Sequence, residues 1–368
     1  MSDPRIEKLA DVLINYSLEI KPGEQLELWC SILSQELALA AYAEALKSGA
    51  NVLLRPFFPE DREVFLKLAG DAQLDFLPPI EKSIAETFDA SLAIGGIHNT
   101  RSLTGVDPKR QARYRKTMAP WFKITEERVL RKEYRWCYTE YPTQAIAQEA
   151  DMSLADYFEF YYAAGKLNDA DPVASWRAEG QRQQQLVDWL AGRQQVVLKG
   201  SDIDMSFSVK DRKFIVCDGK VNFPDGEIFT GPVENSVNGW VRFKYPAIFG
   251  GREVTDVELW FENGRVVKEK ASKNGEFLTT TLNTDDGSRY LGEWGIGTNY
   301  EITRFTKHIL FDEKLGGTIH LAVGGSLYET GGRNDSGLHW DMLCDMAESE
   351  VHIDGELFYR NGRPVLWS

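Results

Sequence analysis

Glu258-Leu259-Trp260-Phe261-Glu262-Asn263-Gly264-Arg265-Val266-Val267-Lys268-Glu269 reads as two strands joined by a two-residue turn. Asn-Gly supplies the two positive φ angles that a tight hairpin needs. The same punctuation recurs at Asp218-Gly219, Asp225-Gly226, Asn274-Gly275, Asp354-Gly355 and Asn361-Gly362. Residues 351–354 and 356–360 flank one of these turns as a second hairpin. From about Val196 the chain is therefore expected to be rich in antiparallel hairpins, with one helix over 275–284.

Upstream the texture changes. Ile6, Leu9, Ala10, Leu13 and Ile14 recur at helical spacing, and 36–48 is an Ala/Leu-rich helix stopped by Gly49. Residues 25–30, 51–56 and 90–97 read as strands, with helical patterns over 65–68, 80–88, 150–167 and 181–190. Strands alternating with helices predict an α/β domain with a mostly parallel sheet. The expected organisation is an α/β domain over 1–190 and an α+β domain over 191–368 that carries the chemistry. A length of 368 residues suits two domains.

Composition removes several function classes. Net charge is −14, and the densest basic run, Lys109 to Lys116, is short and isolated, so no nucleic-acid partner is expected. Cys30, Cys137, Cys217 and Cys344 lie far apart, which argues against a zinc knuckle or a disulfide scaffold. Residues 1–20 lack a signal-peptide core, and no window approaches the ~20 apolar residues of a membrane span. A cytoplasmic location without membrane attachment is the expectation. Gly95-Gly96 opens neither nucleotide-binding fingerprint.

Four of the five histidines fall in the last 61 residues: His308, His320, His339 and His352. In Leu338-His339-Trp340-Asp341-Met342, a strand would point His339 and Asp341 the same way, whereas a helix would separate them. His320 sits on an apolar strand, where a polar group needs a partner. Glu227 and Glu293 lie in glycine-flanked apolar settings, and Asp312-Glu313 follows an apolar pair. Each residue alone reads as structural or surface. Together, acids and imidazoles suit zinc, manganese or cobalt, and an excess of acids favours two ions over one.

These segments carry a resemblance to a known family. N-F-P-D-G-E-I-F-T-G-P, D-D-G-S-R-Y-L-G-E, L-F-D-E, H-L-A-V-G, E-T-G-G and L-H-W-D-M occur in order between residues 222 and 346. They resemble the thermophilic-type metallo-aminopeptidases (the AmpS, AmpT and PepS peptidases), and the likeness extends over most of the chain. The resemblance implies a two-domain exopeptidase with two divalent metal ions and a tendency to form homodimers. It implies Glu227, Glu293, His320, His339 and Asp341 as metal ligands, with Glu313 as a further one. Glu293 or Glu227 is the candidate proton shuttle to the leaving amine. The family commonly has Tyr-Pro before E-T-G-G. Here the pair is Leu327-Tyr328, so Tyr328 reaches the centre as a catalytic group only through a local bulge.

The expected reaction is hydrolysis of the N-terminal residue from a peptide with a free amine, by a metal-activated water. Two other readings compete. One is a non-catalytic descendant that binds peptide or metal, suggested by Leu327. The other is an iron-dependent oxygenase using His339-x-Asp341.

Overall fold

The computed structural model describes residues 3–367. Met1 and Ser2, at the start of the amphipathic N-terminal stretch, and Ser368 lie outside the described residues. The chain forms two compact units. The first runs to Val173 and takes back Gly219–Pro224; the second comprises Ala174–Asp218 and Asp225–Ser368.

The first unit is an α/β domain around a parallel sheet. Its strands lie in the order Asn51–Phe57, Gln25–Ser31, Ala90–Gly95, Arg135–Glu140 and Asn222–Phe223. The chain leaves Gln25–Ser31 first toward one neighbour and later returns to the other, a doubly wound arrangement. The helix Gln35–Lys47 packs its Leu37, Ala38, Ala41 and Ala45 face inward. Two elements were not legible in the sequence: the strand Arg135–Glu140 and the 23-residue helix Pro108–Leu130. That helix buries only Thr125, so it has no apolar stripe to read.

The second unit is built of antiparallel sheets. The larger runs Arg265–Lys270, Val257–Glu262, Asn238–Phe243, Ile203–Ser208, Gln195–Gly200, Ser349–Ile353, Glu356–Arg360, Arg363–Pro364. Asn263-Gly264 and Asp354-Gly355 close its hairpins with both residues at positive φ. Asn274-Gly275 departs from that pattern: Asn274 is left-handed and opens the helix Gly275–Leu282.

A five-stranded sheet positions the site. Its strands run His339–Asp345, Thr318–Gly324, Leu291–Gly297, Glu227–Thr230, Ile215–Cys217, all antiparallel. Successive side chains alternate between faces. Ile228, Trp294, Ile296, Ile319, Leu321, Val323, Trp340 and Met342 enter an apolar core shared with the larger sheet. Trp294 meets Phe207 of that sheet edge-on at 5.3 Å between ring centroids. The opposite face carries Glu227, Glu293, His320, His339 and Asp341.

Candidate metal centre

The alternation explains why each polar residue lies where it does. Trp294 and Trp340 are 0% and 2% exposed, and their burial turns Glu293, His339 and Asp341 to the other face. Cross-strand register then brings the group together: Gly295 pairs with His320, while Glu293 and Asp341 both pair with Ala322 from its two sides. Gly292 is the extra residue of a bulge beside Glu293. A side chain there would meet the carbonyls of Gly324 and Gly325 at 2.4 and 2.2 Å.

Glu293 stands between two clusters. Its Oε1 lies 3.0 Å from His320 Nε2, and Glu227 Oε2 lies 3.3 Å from the same nitrogen. Its Oε2 lies 3.5 Å from His339 Nε2, which is 3.4 Å from Asp341 Oδ2. Glu227, Glu293 and His320 thus present three ligand atoms within 4.8 Å of one another, and Glu293, His339 and Asp341 present three more.

Both imidazoles are fixed by their other nitrogen. His320 Nδ1 donates to the Glu313 carbonyl at 3.1 Å, and His339 Nδ1 donates to the Gly325 carbonyl at 2.8 Å. A carbonyl only accepts, so each Nδ1 carries a hydrogen and each Nε2 is the atom offered to the cluster. Gly295 leaves room for the His320 ring, which a Cβ there would approach to 2.0 Å.

The electrostatics of this arrangement call for cations. Burial pushes the Glu227 carboxyl up to about 8, against the pull of Lys314 and His320. Burial also raises Glu313. Burial opposes the charge on His320, but Glu227 and Glu293 outweigh it and hold the imidazole up at about 10. His339 is likewise held at about 10 by Asp341 and Glu293 over the cost of burial. Burial opposes the charge on Asp341, but His339, together with His320 and Lys314, holds it down at about 2. Two buried oxygens in the centre, Glu227 Oε2 and Asp341 Oδ1, accept no hydrogen bond. Buried oxygens of this kind are costly unless a cation meets them. The donor set fits divalent metal ions of the zinc, manganese or cobalt type.

Two other candidate residues lie differently. Glu313 joins neither cluster and is paired with Lys314. Tyr328 sits on the short turn Tyr328–Thr330, 53% exposed, with its hydroxyl on Asp335 Oδ1 at 3.0 Å. Leu327 is 41% exposed beside it. Sequence reasoning missed Lys314 and Asp225. Lys314 is fully buried, with Nζ 3.2 Å from Glu227 Oε1 and 3.9 Å from Asp225 Oδ1. The only sequence signal was a lysine directly after the two acids Asp312-Glu313. His339 is the exposed edge of the centre, with its side chain 37% accessible, against 0% for His320.

Comparisons with known proteins identify what the chain is similar to. The family model "Thermophilic metalloprotease (M29)" matches residues 2–364. Aminopeptidase 2 of Geobacillus stearothermophilus is 27% identical over 96% of this chain and 91% of its own. The solved structure of wild-type AmpT from Thermus thermophilus superposes with a TM-score of 0.84 at 24% identity, covering 98% of this chain and 99% of that one. A 2,5-dihydroxypyridine dioxygenase from Pseudomonas putida KT2440 shares the fold more distantly, with a TM-score of 0.59 at 13% identity over 99% and 98% of the two chains. No helix among the described residues is long and apolar enough to cross a membrane. The match over nearly the whole chain, joined to a carboxylate–histidine centre suited to divalent metal, places this protein in the M29 family of thermophilic metalloproteases.

Proposed function

We propose that the centre holds two divalent metal ions sharing Glu293, and that the chain uses them to remove the N-terminal residue from peptides. One observation carries the reading: Glu293 turns one oxygen toward His320 and Glu227 and the other toward His339 and Asp341. Glu227, Glu293 and His320 would hold one ion, and Glu293, His339 and Asp341 the other. Charge supports the number. With the acids ionised and both imidazoles neutral, as ligands are once metal binds, Asp225, Glu227, Glu293, Glu313 and Asp341 stand against Lys314, leaving four negative charges, those of two dications. When bound, such a pair lowers the pKa of a water and polarises a carbonyl.

The chain's own groups do the rest. Glu293 would serve as the proton shuttle with Oε2 freed from metal and Oε1 still held, taking the proton of the attacking water and passing it to the leaving amine. His320 and His339 keep their Nδ1 hydrogens on backbone carbonyls and so hold their rings in place. Glu329 is exposed on the turn Tyr328–Thr330, within electrostatic reach of Glu293. Partial desolvation and the charge of Glu293 raise its pKa, and an acid with an anionic neighbour suits an incoming α-ammonium. Tyr328 carries no step.

The finer parts of the reading are zinc, manganese or cobalt as the metal, a homodimer and a cytoplasmic location. Four free cysteines suit a reducing compartment. The oxygenase reading needs only two histidines and one carboxylate. Glu227 and Glu293, both 5% exposed and both against His320 Nε2, have no place in that set.

Turnover of an aminoacyl p-nitroanilide, compared with its N-acetylated form, tests the assignment. The free-amine compound should be cleaved and the blocked one left intact. Cleavage of both at equal rates, or oxygen consumption with ferrous iron in place of hydrolysis, would overturn it.

A further inference from the structure

Lys314 is a cation enclosed by acids. Its side chain is 0% exposed; Nζ lies 3.2 Å from Glu227 Oε1 and 3.9 Å from Asp225 Oδ1, and it also binds the Glu313 carboxylate. The same place has a further donor. Cys217 Sγ and one oxygen each of Asp225 and Glu227 lie within 4.8 Å of one another. A thiol and two carboxylates at that spacing form a ligand set for a thiophilic divalent cation such as cadmium or zinc. Glu227 belongs both to this set and to the pair with His320, so an ion here would sit directly against the metal centre.

We infer that Lys314 is a built-in cation that closes a third metal position formed by Cys217, Asp225 and Glu227. The inference rests on the metal-binding reading above. Lys314 engages Glu227 Oε1, which leaves Oε2 without a hydrogen bond and turned to His320 Nε2 at 3.3 Å. The lysine is therefore a positioning residue: it assigns one oxygen of Glu227 to itself and the other to the metal. Charge explains why one amine suffices. With two dications the five carboxylates and Lys314 balance. Removing the ammonium and ionising the Cys217 thiol leaves two negative charges, the charge of one further dication.

The test is a cadmium titration of the full-length protein after chelator stripping. Bound equivalents are counted, and the ultraviolet thiolate-to-cadmium charge-transfer band is recorded. Wild type and Lys314→Arg should bind two equivalents without the band. Lys314→Met should bind one more and show the band, and adding Cys217→Ser to it should remove both. An unchanged count and no band in Lys314→Met would overturn the inference. Fewer than two equivalents in wild type would strike the two-metal reading, while the increment between wild type and Lys314→Met would still test the lysine. Lys314→Gln, which keeps a polar head group among the acids, backs up Lys314→Met, and melting temperature gives a second readout. Cadmium should raise the melting temperature of either lysine variant more than that of wild type. An equal rise in all three would overturn the inference.

Discussion

Gly295 and His320 are cross-strand partners so close that a Cβ on the glycine would come within 2.0 Å of the imidazole. The ring occupies the space a side chain would fill, and backbone pairing holds the two strands at that distance. Gly295→Ala should therefore leave the sheet formed but push His320 off Glu227 and Glu293. A misplacement of ~1 Å in such a site costs about 100-fold in rate. The expected result is a loss of that order in kcat/KM with near-native circular dichroism. Activity within a few-fold of wild type would show that the ring position is not required.

His339 and Asp341 define the exposed half of the centre. His339→Ala and Asp341→Asn should each abolish metal-restored hydrolysis while retaining one bound equivalent at Glu227, Glu293 and His320. Metal analysis after gel filtration reads the count. Full activity in both variants would remove these residues from the site.

Glu329 tests recognition of the free amine. Glu329→Gln should raise KM for aminoacyl amides about tenfold, the equivalent of about 1.4 kcal/mol, with a smaller change in kcat. An equal fall in kcat with KM unchanged would place its effect elsewhere.

Glu140 makes a prediction in the first unit. It is 2% exposed, accepts the Tyr138 hydroxyl, and burial raises its carboxyl to about 7. The folded chain then holds a proton that the unfolded chain, titrating near 4.5, has released. Its stabilising contribution is complete below about pH 4.5 and is lost as pH rises through about 7, by up to about 3 kcal/mol. In Glu140→Gln that loss should vanish. Urea midpoints of wild type and variant at pH 5 and pH 8 measure it; parallel shifts in both proteins would contradict the assignment.

Much of this was legible in the sequence because strand alternation is a strong rule. His339 and Asp341 flank Trp340, and burying the indole decides the direction of both neighbours. The Asn263-Gly264 and Asp354-Gly355 turns likewise specify their hairpins through two positive φ angles each. The helix Pro108–Leu130 was not legible, since a helix that buries one residue leaves no periodicity. Lys314 was hidden for a different reason. Its meaning comes from Glu227, Asp225 and Cys217, which lie about 90 positions earlier in the chain. Only the folded sheet brings them together. Tyr328 shows the converse: its adjacency to E-T-G-G suggested a role, while the turn it sits on directs its hydroxyl to Asp335.

The central claim is that acids and imidazoles from four strands hold two ions around Glu293. Metal analysis of the purified protein, coupled to aminoacyl-amide hydrolysis before and after chelation, tests it most directly. The account predicts two equivalents of divalent metal per chain, loss of hydrolysis on chelation and recovery when metal is returned. Undiminished hydrolysis by metal-free protein would contradict it.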